Sequence, residues 1–265
     1  MLTSMLSANS PAWLLVFARM GGLLGMNPLF ARRNVPSTVR AGLVFLMTAL
    51  IAPTVTVTGL PARDSLALVV AMLKELFVGF ACGYVFQIYY YMLFFAGDIL
   101  DTHFGMSMAK VFDPGTNIQM SVSGTLLNLL FVMYIFATDS HLLLIRIFAG
   151  SFQVLPAGAV VLGPDIWEYF IQLFISAFSM AIRLALPFVA AEFVLELSMG
   201  VLMKLIPQIH IFVINIQFKM LLGMLLLLAF AAPVASFTDN YMRLMLENLQ
   251  TAMAVLGGAS PGPAG

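Results

Sequence analysis

Charged side chains are scarce in this sequence: only 9% of its 265 residues are Asp, Glu, Lys or Arg, against about 25% in a typical soluble domain. Those present balance, twelve basic against twelve acidic, so no basic footprint points to nucleic acid. Cysteine occurs once, at Cys82 inside an apolar stretch. That excludes an intramolecular disulfide and leaves a small packing residue. The three histidines, His103, His141 and His210, lie in separate segments without HExxH, CxxC or paired-His spacing, so no metal site is expected. GxSxG and P-loop patterns are also missing. No catalytic residues and no cofactor are therefore expected.

What fills the chain instead is hydrocarbon. Hydrophobic residues make up 62% of it, and its mean hydropathy is +1.02. A soluble protein this apolar would expose large patches and aggregate, so the solvent is a bilayer. About 20 apolar residues cross one as a helix. Pro11–Ala31, interrupted by Arg19, is the first such stretch. It is expected to stay in the protein, because Met1–Pro11 has no basic n-region of a cleavable signal. Ala41–Thr58 is the second, and Gly59, Pro61 and Asp64 then make a turn. Ser65–Gly97 is too long for one upright span and carries adjacent Lys74 and Glu75. A tilted helix reaching beyond the lipid is the plain reading.

Asp98–Ser123 is the most polar interior segment, with Asp113-Pro114-Gly115 as its strongest break. Asp98 and Asp101 read as polar residues where a helix leaves the apolar layer. Gly124–Ala137 and His141–Val154, separated by Thr138-Asp139-Ser140, form either a hairpin or one bent helix. Trp167–Leu205 is again overlong, with Pro187, Arg183, Glu192 and Glu196 along it; Ile211–Ala232 follows, and Asn240–Leu256 reads as an amphipathic terminal helix. No internal repeat is visible. The expectation is an all-α, polytopic membrane-protein fold of about six long, partly broken helices. Residues 1–256 form a single domain and 257–265 a disordered tail. Arg32, Arg33 and Arg40 place the first inter-helix loop in the cytoplasm by the positive-inside rule.

Charges inside apolar helices need a reason. Glu192 and Glu196, four apart, share a helix face and either line a proton or ion path or pair with neighbouring helices or subunits. Pairing is the simpler reading, and it extends to Arg19, Lys74, Glu75 and Arg183. Gly21-x3-Gly25 and Gly79-x3-Gly83 permit close helix approach. Of nineteen methionines, Met106, Met108 and Met120 fall in the polar interior segment. Methionine adapts to varied neighbours, so these residues either make a deformable seal or simply pack a re-entrant loop.

Several strings together resemble the FliR family: Asn27-Pro28, then Arg32-Arg33-Asn34-Val35-Pro36 and Arg40; Lys74-Glu75 leading into Gly79 and Gly83; Gly97-Asp98 through Gly105 to Asp113-Pro114-Gly115. His141 with Ser151-Phe152 and Leu155-Pro156, then Leu186-Pro187, Glu192, Gly200 and Pro207-Gln208-Ile209, continue the order over residues 20 to 225. His210 departs from the family's Pro-Gln-Leu-Asn, and Asn215 to Lys219 departs in detail.

The resemblance implies a core subunit of the flagellar type III export gate in the bacterial inner membrane, at the flagellar basal body. Its implied partners are FliP-, FliQ-, FlhB- and FlhA-like proteins, unfolded export substrates and membrane lipid. Helical hairpins in a hetero-oligomeric channel are implied, with Gly105, Met106, Ser107, Met108, Ala109, Lys110, Val111, Phe112 and Asp113 as a channel plug. Glycine at 105 lets such a loop fold back, and Pro114 stiffens its exit. A virulence type III counterpart is one alternative; a small secondary transporter working through Glu192 and Glu196 is another.

Overall fold

Hydrocarbon offers the backbone no partner for its N–H and C=O groups, so apolar runs of this length satisfy them internally as helices. The computed structural model describes residues 10–28, 35–55, 57, 65–107, 121–160, 163, 165–205 and 211–258. Among these are eight α-helices and no strand: α1 Ser10–Met26, α2 Ser37–Ile51 continued by a 3-10 turn Ala52–Thr54, α3 Ser65–His103, α4 Val122–Ala137, α5 Ser140–Val154, α6 Asp165–Leu205, α7 Ile211–Ala229 and α8 Ala231–Leu256. Three of these stretches, α2 with its 3-10 turn, α3 and α6, are long and apolar enough to cross a membrane. Up to five are if the bent pairs α4–α5 and α7–α8 each count as one span. The chain is an all-α polytopic membrane protein. Arg32, Arg33, His210 and residues 259–265 of the expected tail lie outside the described residues.

Boundaries differ from the sequence reading where side chains extend a helix locally. α3 continues through Asp98–His103 for 39 residues in all, because Thr102 donates its hydroxyl to the Asp98 carbonyl and Leu100 and Asp101 are buried. Between α4 and α5 the axis turns by 75° at Asp139, which takes a left-handed conformation at φ 55°, so the pair is sharply bent. The amphipathic terminal helix starts earlier than Asn240, at Ala231. Pro187 sits inside the 41-residue α6 without ending it, although its ring removes the hydrogen bond to the Arg183 carbonyl. Several hydroxyls in apolar helices fold back on their own backbone, as Thr48 does on Val44, Thr238 on Val234 and Ser198 on Val194, which occupies their donors locally.

The described residues divide into two compact units, and the chain passes between them within α3, α4, α6 and α8. The first comprises residues from Met1–Tyr89, Phe136–Phe174 and Leu244–Gly265. Its core gathers Leu15, Val16 and Leu23 of α1, Val85 and Phe86 of α3, and Leu249 and Met253 of α8. Tyr169 donates to the Asn248 carbonyl at 2.5 Å, and the Asn248 amide donates to the Tyr89 hydroxyl at 2.8 Å. The second comprises residues from Tyr90–Ile135 and Ile175–Arg243. It is built on aromatic contacts, Phe104 with Phe188, Phe188 with Phe230 and Phe131 with Tyr241.

Backbone-to-backbone helix contact sets the first unit. A Cβ on Gly79 would fall onto the Arg19 carbonyl oxygen and the Leu23 nitrogen, and one on Gly22 would lie 2.5 Å from the Leu76 carbonyl oxygen. Gly79-x3-Gly83 is thus one side of the α1–α3 crossing. Gly21 and Gly25 are not the other side, since a Cβ on either meets nothing within 4 Å. Gly22 takes that place because it shares a helix face with Arg19 and Met26. In thermal unfolding of detergent-solubilised protein, Gly79→Ala is expected to cost about 1–3 kcal/mol, since backbone atoms cannot yield as side chains do. Gly21→Ala is expected to stay within about 0.5 kcal/mol of the parent.

Candidate functional site

Two polar constellations lie in otherwise apolar surroundings, one in each unit. In the first, Arg19 of α1 and Glu75 of α3 are fully buried and paired, Nε to Oε2 at 2.5 Å. Arg19 Nη1 also donates to the carbonyl and hydroxyl oxygens of Ser151 at 3.1 and 3.3 Å, and its guanidinium lies 4.0 Å above the centre of the Phe152 ring. The other Glu75 oxygen accepts the Gly158 amide at 2.9 Å. Lys74 reaches the Val160 carbonyl at 3.4 Å. Adjacent Lys74 and Glu75 therefore hold the segment after α5 against α3, while Arg19 ties α1 to both. A buried pair is strong only when its remaining donors and acceptors are met. Here three of the four groups facing the pair are backbone or hydroxyl, and Arg19 Nη2 alone of the pair's polar atoms has no hydrogen-bond partner among the described residues. Ser151 and Gly158 carried no polar signal in the sequence that marked them as partners.

The second constellation is the root of the expected plug. α3 ends with Phe104, which is fully buried against Phe188 and directly over Gly223. Gly105 then turns the chain at φ +74°, a conformation that costs glycine little. Met106 and Ser107 are half-buried, with Ser107 Oγ 3.3 Å from Thr102 Oγ1. Met108, Ala109, Lys110, Val111, Phe112 and Asp113 lie outside the described residues.

Where the chain resumes, Asp101 accepts the amides of Val122 at 2.6 Å and Ser123 at 3.0 Å, and Ser121 Oγ accepts that of Gly124 at 2.9 Å. Three orphan amides at the start of α4 are thereby met by two side chains. Both ends of the intervening segment are joined at its base. A Cβ on Gly97 would collide with the Gly124 backbone, so α3 and α4 touch there. Asp101 is thus more than a residue at the edge of the apolar layer; it is a fully buried cap for another helix. Spacing alone does not show this, because donor and acceptor sit on different helices.

The remaining charges separate. Glu196 is paired with Lys219 of α7 at 3.1 Å, a residue that the sequence marks only as departing from the family's pattern. Arg183 is exposed. Glu192 is 1% exposed. Thus Arg19 and Glu75 meet each other, whereas Glu192 and Glu196, on one face, have different surroundings. His141 packs against the Phe136 ring, and no group of three His, Cys, Asp or Glu side chains able to hold a metal occurs among the described residues.

Removing one member of the buried pair strands the other. Glu75→Ala or Arg19→Ala is expected to lower stability by about 3–5 kcal/mol, and the joint change Arg19→Met with Glu75→Leu by less than either, as read from unfolding midpoints. Asp101→Ala is expected to cost about 1–2 kcal/mol through the lost cap, with faster hydrogen exchange confined to the first turn of α4.

The chain matches the family described as bacterial export proteins, family 1, over residues 10–245. The flagellar biosynthetic protein FliR of Bacillus subtilis is 27% identical to it over 93% of this chain and 96% of its own length. FliR of Escherichia coli K12 is 28% identical over 89% and 93%. The Yop proteins translocation protein T of Yersinia pestis is 26% identical over 82% and 84%. With the match covering both the buried pair and the root of the loop, the chain belongs to the bacterial export proteins, family 1.

Proposed function

We propose that this chain is a core subunit of the flagellar type III protein-export gate, located in the bacterial cytoplasmic membrane at the flagellar basal body. The observation that carries the reading is the alignment with FliR proteins of two very different bacteria over nearly the whole of both chains. In this reading the chain joins FliP-, FliQ-, FlhB- and FlhA-like proteins and is non-catalytic. Gly105–Asp113 closes the pore until an unfolded substrate displaces it.

The physical requirements support that role. An unfolded protein must cross without opening an ion leak. A flexible, Met-rich closure adapts to variable side chains, and a closure rooted on a buried cap can move while its base stays put. Asp101, Ser121 and Phe104 supply such a base. The many large apolar side chains left exposed on α2, α6 and α7 fit lipid or partner helices, and Arg183 is exposed where a neighbouring subunit could pair with it.

The Yersinia relative favours one second reading, a virulence secretion counterpart. Affinity purification of a tagged chain from its host in mild detergent separates the two. Recovery of flagellar FliP- and FliQ-like proteins is the expected result; recovery of injectisome proteins would move the assignment, and a homo-oligomer alone would favour a transporter. Within the assembled gate, shortening Gly105–Val111 is expected to make cells permeable to small solutes. Unchanged permeability would remove the plug from the proposal.

A further inference from the structure

Along one face of α6 the surroundings change steeply over two turns. Phe188 is buried among aromatic rings. Glu192, one turn later, is still only 1% exposed. Glu196, another turn on, has a side chain 57% exposed. Lys219 of α7 pairs with the exposed carboxylate at 3.1 Å and not with the buried one. Both carboxyl oxygens of Glu192 are without a hydrogen-bond partner among the described residues.

An ionised carboxylate in that position would have given up its water and received no donor in return, which is among the least favourable states a side chain can occupy. A neutral carboxylic acid in the same place avoids the charge penalty. The charges that act on Glu192 are Lys219 from the packed helix α7 and Glu196 from its own helix. Side chains four apart on a helix have Cβ atoms about 5–6 Å from one another, and the lysine stem is long and flexible. Lys219 can therefore serve either carboxyl by changing its rotamers alone.

We propose that Glu192 is a proton-binding site with an exchangeable counter-ion: it holds a proton while Lys219 rests on Glu196, and releases it when Lys219 crosses one turn to it. In that exchange the Glu192 O–H bond breaks and the proton passes to water. Lys219 keeps its three protons and its charge. The Glu196 carboxylate, already exposed, is left to solvent. No oxidant, reductant or further reactant takes part. The site needs no assumption about which export system the chain serves.

The test is infrared difference spectroscopy on the purified membrane complex containing the full chain, titrated in light and heavy water. A protonated-carboxyl C=O band, shifted by deuterium, is expected to persist at neutral pH. It should vanish in Glu192→Gln and remain in Glu196→Gln. Lys219→Met removes the cation that acts on the site among the described residues and is expected to move the midpoint of that band's titration upward by about one pH unit or more. A spectrum unaltered by Glu192→Gln, or a Glu192 carboxylate throughout the pH range, overturns the proposal; the latter would mean that a neighbouring subunit donates to it. An unmoved midpoint in Lys219→Met overturns the counter-ion role.

A second readout needs no variant. Dicyclohexylcarbodiimide reacts with protonated carboxyls in apolar surroundings, so mass spectrometry is expected to find the adduct on Glu192, increasing as pH falls, and not on Glu196. Labelling of Glu196 in its place, or of neither, counts against the site.

Discussion

The Arg19–Glu75 ion pair is the constraint on which the first unit depends. Two charges taken out of water are stabilising only if further donors and acceptors help to satisfy them, and that demand reaches well beyond the two residues. Glu75 needs the Gly158 amide, Arg19 needs Ser151, and its guanidinium face rests on Phe152. Three stretches of chain far apart in sequence are thus held in one register. The pair can close only because α1 and α3 approach to backbone contact. Glu75, Gly79 and Gly83 lie on one face of α3, so the carboxylate and the two glycines are presented together. A larger side chain at Gly79 would push α1 outward and lengthen the ion pair one turn away.

A related arrangement governs the second unit. Gly97 admits the Gly124 backbone, which places the start of α4 beside the last turns of α3, and Asp101 on that same stretch then accepts the exposed amides of α4. In both units a glycine allows close approach and an acidic residue one turn away makes it specific. In a bilayer the hydrophobic effect does little to hold helix against helix, so packing of small residues and satisfied polar contacts must carry the association. The same economy explains why so few charges suffice. Arg19, Glu75 and Asp101 each meet defined partners, with Arg19 Nη2 left over among the described residues, whereas neither carboxyl oxygen of Glu192 does, and its surroundings suit a neutral acid.

How much of this was legible beforehand varies by residue. The helical class and the overlong α3 and α6 followed from run length and composition, because long continuous apolar runs satisfy their backbone in hydrocarbon as helices, whereas barrel strands are short and alternate. Arg19 and Glu75 stood out as charges needing partners, but not as partners of each other, since sequence separation carries no distance. Gly79-x3-Gly83 was read as a packing face; Gly21-x3-Gly25 looked equivalent and is not, because helix phase relative to a neighbour is a property of the neighbour as well. Asp101 appeared to be a residue at the edge of the lipid. Its role as a cap depends on where α4 begins. Lys219 looked anomalous for the resemblance and turned out to be the partner of Glu196. Of the expected plug, only Gly105, Met106 and Ser107 fall among the described residues.

By itself the sequence determined the solvent and the secondary structure: 62% hydrophobic residues and few charges call for a bilayer, and apolar runs of about 20 residues or more satisfy their backbone within it as helices. The order of motifs also carried the family. Tertiary structure alone decided which charges pair, which glycines touch, and which of two carboxylates four residues apart is buried. Those outcomes depend on the rotation and crossing of helices, and many residues far apart in the chain set that geometry together.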